Sequence, residues 1–118
     1  MLDEEVIKIN LIQAYRFAGV SLDRSTQCGA TVIYGSYDHV GSGCNGLPQG
    51  VRVTPERLVA PLKYLYTEHA ERAAILDAAY WGNATEGATM YAPWSACADC
   101  ARAIIGAGIK RLVRHKDM

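Results

Sequence analysis

Two short segments carry side chains that could do chemistry. Cys97-Ala98-Asp99-Cys100 places two thiols three positions apart, a spacing that shares one face of a helix start. The free N–H groups and dipole at such a start stabilise thiolates, and thiolates are what zinc takes as ligands. On its own the pair also fits a thioredoxin-like redox couple or two structural cysteines. His69-Ala70-Glu71 is the second segment. Alone it reads as a surface histidine with a first-turn carboxylate matched to the helix dipole. Its i, i+2 spacing does not share a helical face, so the two side chains serve one site only if the first turn points straight into it. Together, one imidazole and two thiolates make three zinc ligands and leave the fourth tetrahedral position open to water, which is a catalytic rather than a closed structural arrangement. Zinc lowers the pKa of a bound water to about 7. Glu71, beside the ligand His69 and not needed for coordination, is placed to move the proton.

The elements that must position these residues follow from pattern. Residues 3–18 predict a first helix with Asp3 as cap, Glu4 and Glu5 at its positive end and Gly19 ending it. Residues 28–34 and 39–44 predict two strands joined by a turn at 35–38. Residues 45–50 form a turn-rich loop, and Thr54-Pro55-Glu56 starts a helix that Pro61 keeps short. An alanine-rich helix is expected from about 67 to 80, a third strand at 88–92, a helix from 97 to 107 stopped by Gly108, and a fourth strand at 109–114. This order predicts an α/β domain over residues 1–118, a mixed sheet flanked by helices. The last strand is then an edge that a partner or further chain would cover.

Composition narrows the class. The 118 residues are 50% hydrophobic and 20% charged, which excludes a disordered tail, a collagen-like repeat and a coiled coil. No apolar run approaches the ~20 residues of a membrane helix, and the acidic N-terminus lacks a signal-peptide core; a soluble, cytoplasmic protein is expected. Twelve basic and twelve acidic residues cancel, which argues against a partner held by many phosphate contacts and leaves room for one small phosphorylated ligand.

The paired motifs match the H-x-E and P-C-x-x-C pattern of zinc nucleobase deaminases, with Ala96 where that pattern has proline and a proline earlier, at Pro93. Four segments carry a closer resemblance, to the deoxycytidylate (dCMP) deaminases with their three-layer cytidine deaminase-like fold. Residues 21–30 (SLDRSTQCGA) look like that family's entry into its first strand. Residues 43–50 (GCNGLPQG) look like its G-[YF]-N-G-x-P-R-G loop, with Cys44 in place of the aromatic and Gln49 in place of arginine. Residues 68–75 (EHAERAAI) and the stretch from 97 to 112 look like its two zinc helices and the strand that follows. Family members carry a further helix and strand beyond this point.

The resemblance implies a zinc enzyme, often a homo-oligomer and possibly a hexamer, that converts dCMP to dUMP and ammonia and so supplies dUMP for thymidylate synthesis. His69, Cys97 and Cys100 hold Zn2+ and Glu71 moves protons. Asn45 hydrogen-bonds the deoxyribose, against its alternative as a left-handed turn residue before Gly46. The backbone N–H of Ala70 faces the pyrimidine carbonyl. Trp94 and Ser95 line the base, against Trp94 as a core aromatic. Arg24 is a candidate for the 5′-phosphate, against a solvated side chain. Cys28 and Cys44 read as buried small hydrophobes. Lys110, Arg111, Arg114, His115 and Lys116 read as a solvated basic end.

Two other readings remain at this level. Trp94-Ser95 also resembles the tryptophan–serine segment of polynucleotide cytidine deaminases, against which stand the zero net charge and the lack of an aromatic-plus-basic strand-binding stretch. A thiol redox protein would use Cys97 and Cys100 without a metal.

Overall fold

The structure is a computed structural model that describes residues 3–23, 25–94 and 97–115. Its elements are α1 (Glu4–Ala18), β1 (Gly29–Tyr34), β2 (Asp38–Cys44), a 3-10 turn (Pro55–Leu58), α2 (Lys63–Tyr66), α3 (Ala70–Tyr80), β3 (Thr89–Tyr91), α4 (Ala98–Gly106) and β4 (Arg111–Val113). The sheet order is β2-β1-β3-β4. β1 runs antiparallel to both neighbours, with Val32 opposite Gly41 and Met90, and β3 runs parallel to β4. Among the described residues, no helix is long and apolar enough to cross a membrane.

Three layers result from alternation along the central strands. Ala30 and Val32 of β1, with Met90 of β3, pack against Ala70 and Ala74 of α3 and Ile104 of α4. Their neighbours Ile33 and Tyr91 point the other way, onto Leu11 of α1 and Val113 of β4. Both faces of β1 are therefore covered, as a central strand in a mixed α/β sheet requires.

The helix–sheet spacing is set by small residues. Ala70, Ala74 and Ala78 form the buried stripe of α3, and β2 meets it with glycines. A Cβ on Gly41 would stand 2.4 Å from the carbonyl oxygen of Ala74, and one on Gly43 would stand 2.9 Å from Ala73 Cβ. On the other face, a Cβ on Gly29 would lie 2.1 Å from the Ala14 carbonyl oxygen of α1. The strand glycines thus serve close backbone approach. Asp77 of α3 then accepts the Ser42 N–H of β2 at 3.0 Å, tying the helix to the edge strand.

Several boundaries differ from expectation for identifiable reasons. α3 starts at Ala70, not near 67, because Glu68 makes an isolated antiparallel bridge with Gly46. Its N–H donates to Gly46 at 2.7 Å and its carbonyl accepts the Gly46 N–H at 3.1 Å, which holds the chain before Ala70 extended. Cys97 is the cap of α4 rather than its first turn. Gly19 closes α1 with φ −65°, in right-handed geometry and not as a left-handed stop. The short helix expected after Thr54 is a 3-10 turn, and the single turn of α2, beyond Pro61, was not expected; neither has a buried residue.

Candidate metal centre and its cavity

The starts of α3 and α4 face each other. His69 caps α3 in extended geometry, with φ −75° and ψ 151°, and its side chain makes no capping hydrogen bond. Its N–H donates to the Glu68 carboxylate at 2.9 Å, and its carbonyl accepts the Ala73 N–H at 2.8 Å. The imidazole is left to point across to α4. Nδ1 lies 3.4 Å from Cys97 Sγ and 3.3 Å from Cys100 Sγ, and the three donor atoms lie within 4.8 Å of one another. The i, i+4 relation of Cys100 to Ile104 puts its thiol on the buried face of α4. The extended cap also resolves the spacing problem of His69 and Glu71, because the histidine lies outside the helix and both side chains line one cavity.

This donor set fits zinc. One imidazole nitrogen and two sulfurs are the ligand types it prefers, and ligands about 2.0–2.3 Å from one tetrahedral ion stand roughly 3.5 Å apart, close to the separations seen. Three donors leave a fourth position open toward the cavity. The Cys100 N–H donates to Cys97 Sγ at 3.3 Å, and this bond holds the Cys97 thiol below its ordinary range. Burial, together with the neighbouring Cys97 sulfur and the Glu71 carboxylate, pushes Cys100 up to about 12. Binding an ion requires both sulfurs as thiolates and so releases their protons.

Glu71 is buried in the first turn of α3 and lines the cavity. Desolvation raises its pKa, opposed by its own N–H and by the nearby His69 and Arg72. A carboxyl lifted in this way holds a proton more readily than a free one, as a group that takes and returns protons must. Ala70 is buried at the first helical position and lines the same cavity, so its N–H belongs to the turn that has no helical acceptor to meet it.

The cavity encloses about 390 Å³. Beyond the metal-facing residues it is lined by Cys28, Asn45, Thr67 and Trp94, and by Asp23, Ser25, Thr26, Lys63 and Tyr64. Lys63 Nζ sits 3.2 Å from Asp23 Oδ2 and 2.9 Å from Ser25 Oγ. Partial burial works against the Asp23 charge. The Ser25 N–H and hydroxyl, the Thr26 N–H and Lys63 outweigh it and hold Asp23 at about 2. Lys63, Asp23, Ser25 and Thr26 were not singled out as site residues from sequence, although residues 21–30 carried the family resemblance; nothing near Lys63 marks it as facing a site 40 residues upstream.

Asn45 does more than border the cavity. Oδ1 accepts the Cys28 N–H at 2.8 Å and Nδ2 donates to the Thr26 carbonyl at 2.9 Å, while its carbonyl accepts the Ser21 hydroxyl at 2.8 Å. The residue is a buried clasp on the 26–28 segment, and one N–H and one lone pair of the amide remain for a ligand. Among the described residues only glycines have positive φ, so the left-handed alternative for Asn45 is wrong; the bond to Cys28 and the bridge at Gly46 shape this turn instead. Asn45→Ala should lower stability by roughly 1–3 kcal/mol, because it strands the Cys28 N–H and the Thr26 carbonyl. Zinc content should stay near one per chain. Urea unfolding and metal analysis of the variant check both, and a variant as stable as the parent would show that the clasp carries no energy.

The other candidates divide. Trp94 is half-buried, lines the cavity and also packs edge-on against Tyr15, with ring centroids 5.3 Å apart, so it is both a wall and a packed aromatic. Arg24 and Ser95 lie outside the described residues, as does Lys116. Cys28 and Cys44 are half-buried rather than buried. Cys28 immediately precedes β1 and is open to the cavity, whereas Cys44 lines a separate groove beside β2. Lys110 and Arg111 are exposed as expected, but His115 is hydrogen-bonded to Tyr15, because the chain leaving β4 passes over α1.

Comparison with known proteins agrees with this geometry. The model of the cytidine and deoxycytidylate deaminase zinc-binding region matches residues 3–116. Human deoxycytidylate deaminase is 37% identical over 112 residues, covering 88% of this chain. The deoxycytidylate deaminase of Enterobacteria phage T4 is 60% identical over 45 residues, 38% of this chain and 23% of its own length. The chain spans 61% of the length of its human relative. Among solved structures, the dCMP deaminase of cyanophage S-TIM5 in apo form superposes with a TM-score of 0.78 at 25% identity, covering 94% of this chain and 82% of that one. The fold is therefore cytidine deaminase-like, and zinc is the ion that the three-donor centre matches. The chain belongs to the cytidine and deoxycytidylate deaminase zinc-binding family.

Proposed function

We propose that the chain hydrolyses the cytosine amino group of dCMP, giving dUMP and ammonia. The observation that carries this reading is the triangle of His69, Cys97 and Cys100 beside a buried Glu71, at one cavity that Lys63 also lines. It is supported by the deoxycytidylate deaminase names of the relatives and by the S-TIM5 enzyme, whose structure has also been determined in complex with dCMP and dUMP, with a TM-score of 0.80 at 24% identity, covering 95% of this chain and 82% of that one.

In this reading His69, Cys97 and Cys100 hold zinc, which supplies an open position where water is activated near neutral pH. Glu71 would take one proton from the attacking water and give it to the ring nitrogen, then take the proton of the hydroxyl newly placed on C4 and give it to the departing amine, so that dCMP and water become dUMP and ammonia. The Ala70 N–H holds the pyrimidine carbonyl, and Trp94, with Ser95, walls the base. The free valences of Asn45 meet the deoxyribose. Lys63, with the Ser25 and Thr26 hydroxyls, meets the 5′-phosphate, which takes over from Asp23 as the partner of the ammonium; Arg24 is the second candidate cation for that phosphate.

A free nucleotide is favoured over a cytosine within a strand. Esterification removes the hydroxyl proton at the 3′ position, and a pocket matched to that hydroxyl leaves a polar group unpaired, which costs roughly 1–3 kcal/mol or about tenfold and more. The balanced charge adds no broad attraction to a polyanion. Product analysis on dCMP, deoxycytidine and a single-stranded oligonucleotide should show kcat/KM for dCMP at least about tenfold above the other two. Deamination of the oligonucleotide with none of dCMP would overturn the reading in favour of a polynucleotide deaminase.

A further inference from the structure

Three aromatic rings run from the outer side of α1 to the cavity. Trp94, which lines the cavity, meets the Tyr15 ring with 5.3 Å between centroids and 64° between planes. Tyr15 in turn meets the imidazole of His115 at 5.5 Å and 83°, and its hydroxyl is hydrogen-bonded to His115 Nδ1. The His115 N–H donates back to the Pro93 carbonyl at 3.4 Å. The end of β4 is thereby tied to the residue just before Trp94. These edge-to-face contacts are oriented by the ring quadrupoles.

No helix or strand holds Trp94, which lies in a bend after β3. Its indole takes its orientation from what it touches, and Tyr15 is the ring behind it. Tyr15 is 40% exposed, so its contribution to the core is small for so large a side chain.

We propose that Tyr15, steadied by His115, is a positioning residue that sets the Trp94 indole as the cavity wall against which the substrate's pyrimidine packs. This rests on the deaminase reading above, and it adds a contact that reaches the site only through another side chain.

The test uses the zinc-loaded full chain with Trp81→Phe. The chain has two tryptophans, and Trp81 is exposed at the end of α3 and outside the cavity, so Trp94 becomes the sole reporter. Tyr15→Ala in this background should lower the fluorescence anisotropy of Trp94. It should also raise the Kd for dUMP and the KM for dCMP about three- to tenfold, with kcat and zinc content kept. Tyr15→Phe keeps the ring edge and loses the hydroxyl bond to His115, and should fall between. The proposal is overturned if Tyr15→Ala unfolds at lower temperature yet keeps the parental Kd, KM and Trp94 anisotropy, since that is what a purely structural tyrosine would do. It also falls if the zinc-loaded parent neither binds dUMP nor turns over dCMP, an outcome that condemns the deaminase reading itself and is separated from the first by the parent's behaviour.

Discussion

Glu71→Gln is expected to lower kcat on dCMP by about 10²–10⁴-fold while zinc stays bound and the fold is unchanged. General acid–base transfer contributes on that scale, and an amide of the same shape can neither accept the proton of water nor pass one to the leaving amine. The variant should also fold at least as well as the parent. Glu71 is buried and desolvation raises its pKa, so its charge opposes folding, and a neutral amide removes that cost. Loss of turnover without loss of stability is the signature of a group kept for chemistry at the expense of packing. Ammonia release, bound zinc and the urea midpoint are the three measurements. A variant that retained the parental kcat would show that another group carries the protons.

The chemistry was more legible in the chain than its setting. His69, Glu71, Cys97 and Cys100 could be read because the two segments, each ambiguous alone, together supply three zinc ligands and a spare carboxylate. The local elements followed from caps and alternation, and Asp3 caps α1 as expected, accepting the Glu5 N–H at 2.8 Å. What sequence could not supply was long-range. The bridge between Gly46 and Glu68 moves the start of α3 to Ala70 and turns His69 outward; neither residue announces a partner 22 positions away. Gly41 and Gly43 fall inside the expected strand at 39–44, but nothing local in the sequence shows that α3 lies against them. Lys63 has no pattern around it, and its place in the cavity is set by Asp23 and Ser25. Asn45 was expected to face a ligand; it lines the cavity, and half of its amide hydrogen-bonding capacity is spent on the backbone of 26–28.

His69→Ala is expected to release the metal and take turnover to background, and it is the cleanest of the three possible ligand deletions. The imidazole makes no capping hydrogen bond to α3, so its removal costs the helix nothing directly. Cys97, by contrast, accepts the Cys100 N–H and caps α4, and Cys100 is fully buried; deleting either would mix metal loss with a lost cap or a cavity. The purified parent should carry about one zinc per chain, and stripping it with a chelator should lower the unfolding midpoint. An ion bound only by the native state stabilises it by RT ln(1 + [L]/Kd), about 4 kcal/mol when free zinc is a thousandfold above Kd. The His69→Ala chain should match the stripped parent in stability and show no further change with chelator. Glu71→Gln differs from it in one respect, retained zinc, which separates the group that moves protons from those that hold the ion. The opposing result is a parent that binds no zinc and cycles reversibly between dithiol and disulfide at Cys97 and Cys100. His69 would then be incidental, although its Nδ1 lies 3.3 and 3.4 Å from the two sulfurs, a placement that three ligands sharing one ion require and a redox pair does not.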